Sequence, residues 1–307
     1  MQIGSVRPVS TGKGKKRKKL GNDTPWALLM LAPNIIGFFM FMVFPILATF
    51  FFSFTEYDLI LPPEFIGFKN YIKLFTDPII AITLRNTFVF TLISVPIGMA
   101  ISLGLAILLD QKVAFKRFYR GAYFIPCITS MVAVAIVWQW LYNPQFGLIN
   151  YVLGFLGIKG IRWLSATDTS LLSIAIVHIW KNIGYNMMLF LAGLQGISNT
   201  YFEASELDGA GKWKQFIHIT FPMLSPTTFF IFVISIINSF QIFDTVKLMT
   251  DGGPGRSSSV LVHYLYQNAF QYFSMGYACA VAYLLFFVVL LLTMVNMRFE
   301  KSIREIF

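Results

Sequence analysis

Tyr201-Phe202-Glu203-Ala204-Ser205-Glu206-Leu207-Asp208-Gly209-Ala210-Gly211-Lys212-Trp213-Lys214-Gln215-Phe216-Ile217-His218-Ile219-Thr220-Phe221-Pro222 is the stretch on which the reading of this chain turns. It separates two long apolar blocks, and it is too long for a hairpin and too patterned for a linker. Ser198 or Asn199 can cap a short helix that runs through Glu206, and Gly209 and Gly211 can break it. A second amphipathic stretch follows. Trp213, Phe216, Ile217 and Thr220 fall on one face at helical spacing, and Lys212 and Lys214 fall elsewhere. Pro222 suits the first turn of the next helix. Exposed aromatics beside the carboxylates of Glu203, Glu206 and Asp208 fit docking on a soluble partner. The other reading is an interfacial helix lying on lipid.

Working outward, hydrophobic residues make up 56% of the 307 and charged residues only 12%, where a soluble domain carries about 25%. Charge is too scarce to coat two globular domains. A helix needs about 20 apolar residues to cross a bilayer, and six segments reach that length: about 26–54, 86–109, 121–142, 170–197, 222–246 and 275–297. The expected fold is all-α, a polytopic membrane protein with six transmembrane helices. Pro33, Pro45, Pro96, Pro126 and Pro226 are expected to kink the spans locally. The first apolar block is too long for a cleavable signal peptide. Cys127 and Cys279 both lie in apolar segments and define neither a disulfide framework nor a metal site.

The chain divides into a basic tail (1–24), a membrane domain (25–300) interrupted by the loop 198–221, and a tail (301–307). With the N-terminus inside, Lys and Arg number 16 on the inner pieces and 6 on the outer ones. That bias obeys the positive-inside rule and puts both termini in the cytoplasm. The basic cluster 13–19 reads as a topology anchor attracted to anionic lipid. A nucleic-acid arm is the rival reading, disfavoured because the cluster abuts a span. Of the outer connections, 143–169 contains an apolar run (146–153) too short to span and suited to the interface. Residues 248–274 open on the turn cluster Asp251-Gly252-Gly253-Pro254-Gly255.

Glu203-Ala204-Ser205, then Gly209, Ile219 and Phe221-Pro222, match in spacing the EAA loop of permease subunits of ABC importers. Ser205 stands for the second Ala and Phe221 for Leu. Asp208-Gly209-Ala210, Pro222-Met223-Leu224-Ser225-Pro226, Leu191-Ala192-Gly193-Leu194-Gln195-Gly196-Ile197 and Asp251-Gly252-Gly253-Pro254 with Tyr266-Gln267-Asn268-Ala269-Phe270 resemble the carbohydrate branch. It is similar to maltose- and glycerol-3-phosphate-type permeases. The resemblance covers roughly 25–300 and implies the type I importer fold in the inner membrane of a prokaryote. It implies a second homologous permease, two ATPase subunits that use ATP and Mg, an extracytoplasmic solute-binding protein and a sugar substrate. It implies no nucleic-acid partner and no cofactor in this chain itself. Glu203, Ala204, Ser205, Asp208, Gly209 and Ala210 would form the coupling element, with Glu203 pairing a basic ATPase residue. The large outer-loop domain and extra N-terminal spans of the enteric maltose permease have no counterpart here.

Polar side chains inside a membrane are costly and face a bundle interior or a cavity. His178, Asn182 and Tyr185 recur on one helical face of the fourth span. Ser235, Asn238, Ser239 and Gln241 cluster on the fifth, with Ser235 and Ser239 stacked. An aromatic ring with amides and hydroxyls suits a sugar, and family resemblance points to His178, Asn182, Tyr185, Ser235 and Ser239. The matching third-span positions, Cys127 and Met131, are not sugar-like ligands. Interhelical hydrogen bonding is the bland alternative for every one of these polar residues. Lys181 can meet an anionic solute, pair with Asp244, or snorkel to the outer interface. No Gly-x-x-x-x-Gly-Lys-Ser/Thr, His-Glu-x-x-His or Gly-x-Ser-x-Gly occurs, and Ser257-Ser258-Ser259 reads as a cap for a helix starting near Val260. The chain is therefore read as a transport subunit and not an enzyme. A secondary transporter or channel, the rival class, would need a mid-membrane coupling carboxylate or an inverted repeat.

Overall fold

The computed structural model describes residues 24–111 and 114–304, so the basic cluster 13–19 and residues 305–307 lie outside the described residues. Residues 1–49 and 50–307 are separate compact units. Helix α1 (Trp26–Phe52) turns π-helical over Phe39–Val43, just ahead of Phe44-Pro45. Pro45 has no N–H to give the turn before it. The wider turn, closed by Phe44 N–H on the Phe39 carbonyl, absorbs the misfit. The same device recurs at Phe216–Thr220, ahead of Phe221-Pro222.

A two-residue hairpin pairs β1 (Thr55–Glu56) with β2 (Glu64–Phe65). Helix α2 (Lys69–Thr76) is fixed beneath it by Asn70, whose amide donates to the carbonyls of Ser53 (3.0 Å) and Thr55 (2.9 Å). Helix α3 (Pro78–Asp110) begins well before the expected start near 86. Asp77 is its N-cap, accepting from Ile79 N–H at 2.9 Å, and Pro78 occupies the first helical position. Arg85 interrupts the apolar run without interrupting the helix.

The Asp77 carboxylate also accepts the hydroxyls of Tyr264 (2.6 Å) and Tyr277 (2.7 Å), joining three elements distant in sequence. Burial opposes its ionisation, but the two tyrosines, Ile79 N–H and nearby Lys73 outweigh burial and hold the carboxyl below its usual range. Burial together with Asp77 pushes the Tyr264 hydroxyl up to about 12, so it stays a donor. Asp77→Ala removes a cap and two charge-assisted bonds, and is expected to cost on the order of 2–4 kcal/mol. The depressed carboxyl stabilises the fold fully above its unfolded value near 3.9, and that stabilisation is lost as pH falls through the folded value. The difference in thermal stability between wild type and variant should shrink as pH falls through the folded value; a gap unchanged by acid would contradict this account.

The expected spans 121–142 and 222–246 are each corrected from one helix to several. Helix α4 (Lys116–Ile128) and helix α5 (Met131–Leu141) meet at Thr129-Ser130 with a 99° bend. Pro126 already denies Ala122 its helical donor two residues before the break. After helix α6 (Leu148–Phe155), helix α7 (Ser170–Gln195) runs for 26 residues, about 39 Å at 1.5 Å per residue. Helix α8 (Asn199–Leu207) is followed by helix α9 (Lys212–Met223) and helix α10 (Ser225–Phe240), bent by 64° around Leu224. Pro226 disfavours helical geometry at the residue before it and fits the first turn of α10. The chain leaves helix again at Gln241–Phe243, then forms helix α11 (Asp244–Met249), helix α12 (Leu261–Tyr266) and helix α13 (Met275–Arg304).

Among the described residues, α1, α3 and α13 are each long and apolar enough to cross a membrane, and the two bent pairs qualify as further spans. Helix α7 is long enough, but it carries a polar stripe of His178, Lys181, Asn182 and Asn186. The short helix α6 exposes Leu148, Tyr151, Val152 and Phe155 along one face. Behind it, Asn150 bonds the backbone of Ile161 and the Trp163 indole. The main core joins Ala106 of α3, Met187, Phe190 and Leu194 of α7, Leu224 at the elbow and Ile231 of α10.

Candidate functional site

Helices α3, α7 and α10 enclose a polar recess. His178, Asn182 and Tyr185 face it from α7, Ser235 and Asn238 from α10, and Ser94 and Gly98 from α3. His178, Asn182, Tyr185, Ser235 and Asn238, all expected from the sequence to meet a solute, are thus brought together. Ser239 is the exception and a correction. It is fully buried and hydrogen-bonded to the Thr91 hydroxyl (2.9 Å) and the Ile236 carbonyl (2.9 Å), as interhelical glue. Asn182 donates to the His178 carbonyl (2.8 Å), and the His178 ring meets Phe90 edge-on at 5.2 Å. Tyr185 remains 38% exposed beside the recess. The recess holds ≈ 30 Å³, and an adjoining hollow of ≈ 220 Å³ shares His178 and Asn182 and adds Met131, Lys181, Gln241 and Asp244. Both fall below the roughly 300–1,000 Å³ of ligand pockets.

Lys181 turns to backbone carbonyls and not to Asp244. Its ammonium donates to the carbonyls of Thr129 (2.7 Å), Pro126 (3.1 Å) and Cys127 (3.4 Å). Asp244 lines the same hollow, but among the described residues no ion pair joins the two.

The stretch 198–223 folds as a helix–turn–helix. Ser198 caps α8 through Thr200 N–H at 3.4 Å. At the other end Ala210 N–H bonds the Ser205 carbonyl (2.9 Å) and Gly209 N–H the Glu206 carbonyl (3.1 Å), with Gly209 at φ +75°. This is the Schellman closure, which needs a residue tolerant of left-handed geometry at Gly209. Ser205 receives the Gln215 amide (3.0 Å), which ties α9 to α8. Phe202 and Ile219 pack against the main core. Glu203, Ala204, Asp208 and Gly209 face outward, while Ser205 and Ala210 are half-buried. Of the residues expected to share one face of α9, Trp213 and Ile217 are exposed, as is Leu207 at 91%, while Phe216 is half-buried and Thr220 is buried with Gln215. The Lys212–Glu206 ion pair is solvent-exposed and contributes little.

A third cluster escaped the sequence. Asp251 accepts from His263 Nε2 at 3.0 Å and from Lys247 at 2.8 Å, while Ser259 Oγ lies 3.1 Å from His263 Nδ1. A carboxylate only accepts, so Nε2 carries the proton and the Ser259 hydroxyl donates to Nδ1. Gly252, at φ +80°, leaves room for the ring, since a Cβ there would stand 2.7 Å from it. The serine run does not cap α12: Leu261 N–H is taken by Thr87 of α3 at 3.0 Å. Asn86 donates to the carbonyls of Arg256 and Ser259, fastening the loop to the same helix. His263 and Ser259 are sealed from solvent, and the relay holds the loop in place.

Burial, with Lys247 and Arg256 nearby, depresses the His263 pKa despite the opposing pull of Asp251. The unfolded chain therefore binds the proton more readily. This stabilisation is complete above about pH 6.5 and is lost as pH falls through the folded value. Amide protection at Ser259 and Leu261 should drop in that window, and His263→Gln should abolish the pH dependence. Protection independent of pH in the wild type would refute the assignment.

The family model for the binding-protein-dependent transport system inner membrane component matches residues 94–304. The probable ABC transporter permease protein YurN of Bacillus subtilis is 36% identical over 282 residues, covering 90% of this chain and 96% of that one. The sulfoquinovosyl glycerol transport system permease protein SmoG of Agrobacterium fabrum is 35% identical over 282 residues, covering 91% and 92%. A chain from the crystal structure of a bacterial alginate ABC transporter, in complex with an alginate pentasaccharide-bound periplasmic protein, superposes with a TM-score of 0.80. It is 22% identical and covers 92% of this chain and 96% of its own. The fold is thus a known one, and this chain is a member of the binding-protein-dependent transport system inner membrane component family, a multi-pass permease of the ABC transporter type.

Proposed function

We propose that this subunit forms half of a pore that imports a carbohydrate across the prokaryotic inner membrane by alternating access. The second half is a homologous permease. Two ATPase subunits, using ATP and Mg, grip the stretch 198–223 from the cytoplasm, and a solute-binding protein delivers the sugar from outside. Both termini lie in the cytoplasm. Glu203 and Asp208 offer carboxylates to basic ATPase residues, Leu207 and Trp213 fill an apolar groove, and Gly209 shapes the turn between them. The observation that carries the reading is the recess itself: an aromatic face at Tyr185 beside the amides of Asn182 and Asn238, His178 and the Ser235 hydroxyl. That is the donor set a polyhydroxylated ring requires, and a relative named for a sugar glycerol conjugate supports it.

The test is uptake by the reconstituted importer of a radiolabelled panel: a neutral disaccharide, a neutral trisaccharide and glycerol phosphate. Tyr185→Ala and Asn182→Ala should each raise the apparent KM about tenfold, as loss of one good hydrogen bond or stacking contact does. Import driven without any ATPase subunit would favour a secondary transporter and sink the proposal. Import of glycerol phosphate alone would replace sugar by a phosphorylated polyol.

A further inference from the structure

The end of α4 presents an accounting problem. A helix leaves its last carbonyls without intrahelical donors, and here that end lies at the bend of a membrane-spanning segment, where freed backbone groups must find partners within the protein or its cavity. Thr129 closes one gap, its hydroxyl donating to the Ile125 carbonyl at 2.8 Å. The carbonyls of Pro126 and Cys127, and that of Thr129 just past the helix, converge on the single ammonium of Lys181. An ammonium has three N–H donors and no acceptor, and these three carbonyls take all of them. Its charge also meets the negative end of the α4 dipole. One turn along the same face of α7, Gly184 lets the α4 backbone approach so closely that a Cβ would collide with the Tyr123 carbonyl. The two residues fix α4 against α7 by charge and by contact. Just past the elbow, Met131 opens α5 and lines the hollow beside His178 and Asn182.

We propose that Lys181 is a positioning residue for transport: a tethered cation seated on the carbonyl cradle of the broken third span, which holds the α4–α5 elbow and with it one wall of the solute cavity. In transporters whose broken helices expose such carbonyls, a bound ion can fill the same position; here the side chain does so. With its three protons committed, Lys181 does not bind the solute. The proposal rests on the cavity reading above.

The experiment uses the full importer in liposomes, with uptake of the same labelled panel normalised to assembled complex. Lys181→Met and Lys181→Ala should lower the maximal rate about tenfold or more, as loss of charge-assisted bonds does, for neutral and anionic probes alike. Propylammonium, which replaces the atoms missing from Lys181→Ala, should restore much of the rate; tetramethylammonium, equally charged but without N–H donors, should not. Independently of transport, spin labels at Phe118 and Val137, with Cys127 and Cys279 replaced by alanine, should give one narrow distance in the parent. That distance should broaden in Lys181→Ala and narrow again with propylammonium. A distance unchanged by Lys181→Ala overturns the proposal, as does loss of uptake confined to glycerol phosphate, which would make Lys181 a solute ligand. A wild-type importer that moves no probe would count against the functional reading alone, while the spin-label distances would still decide the role of Lys181.

Discussion

Gly184→Leu should leave no assembled complex to purify, and Gly184→Ala should lower its stability by about 3 kcal/mol or more, at the severe end of overpacking. The cause is backbone on backbone. A methyl at this position would run into the Tyr123 carbonyl and sit 3.0 Å from Phe124 Cα, and neither neighbour is a side chain that can swing away. In lipid, helices gain little from apolar burial against each other, so close packing at small residues carries much of their association. Separating α4 from α7 would also pull the Pro126 and Thr129 carbonyls off Lys181. Gly121, on the same α4 helix, has open space where its Cβ would be, and Gly121→Ala should be nearly neutral. Thermal unfolding of the purified complexes compares them directly. A Gly184→Ala variant as stable as Gly121→Ala would show that this contact is not where the helices are joined.

Gly209→Pro should eliminate solute-stimulated ATP hydrolysis and uptake while the chain still inserts and assembles with its permease partner. Proline removes the N–H that bonds the Glu206 carbonyl, and it locks φ near −65° where the turn requires +75°. The Schellman closure then cannot form, and α8 loses its orientation relative to α9. Gly209→Ala should be milder, costing about 1–2 kcal/mol for a left-handed L-residue, because nothing stands within 4 Å of its Cβ. ATPase assays on the reconstituted complex, with and without binding protein and sugar, measure both. Full coupling in Gly209→Pro would mean the turn carries no force.

What could be read from sequence was what depends on near neighbours. The limits of α8 fell within a residue of expectation because Ser198 and Gly209 are local start and stop chemistry. The start of α3 was missed although Asp77-Pro78 is a local signal of the same kind, because counting apolar residues stops at Arg85. The elbow at Thr129-Ser130 was foreshadowed by Pro126, but a proline only weakens a helix. The 99° bend also needs Lys181, more than 50 residues away, to satisfy the freed carbonyls. Ser235 and Ser239 are one turn apart and look equivalent, yet Thr91 on another helix claims the second. The Asp251–His263–Ser259 relay was hidden for a related reason. Its spacing becomes meaningful only when the glycines fold Asp251 back over the ring.

The central claim is that the helix–turn–helix between α7 and α10 is a handle gripped by a nucleotide-driven subunit. Leu207, nine-tenths exposed at its tip, is the place to ask. A Leu207→Cys chain lacking Cys127 and Cys279, assembled in the full complex and treated with a short bifunctional reagent, should crosslink to the ATPase subunit in high yield, and the yield should change when ATP is bound. An introduced thiol that stays freely reactive toward aqueous reagents in the assembled complex, or is protected only by lipid, would contradict the account.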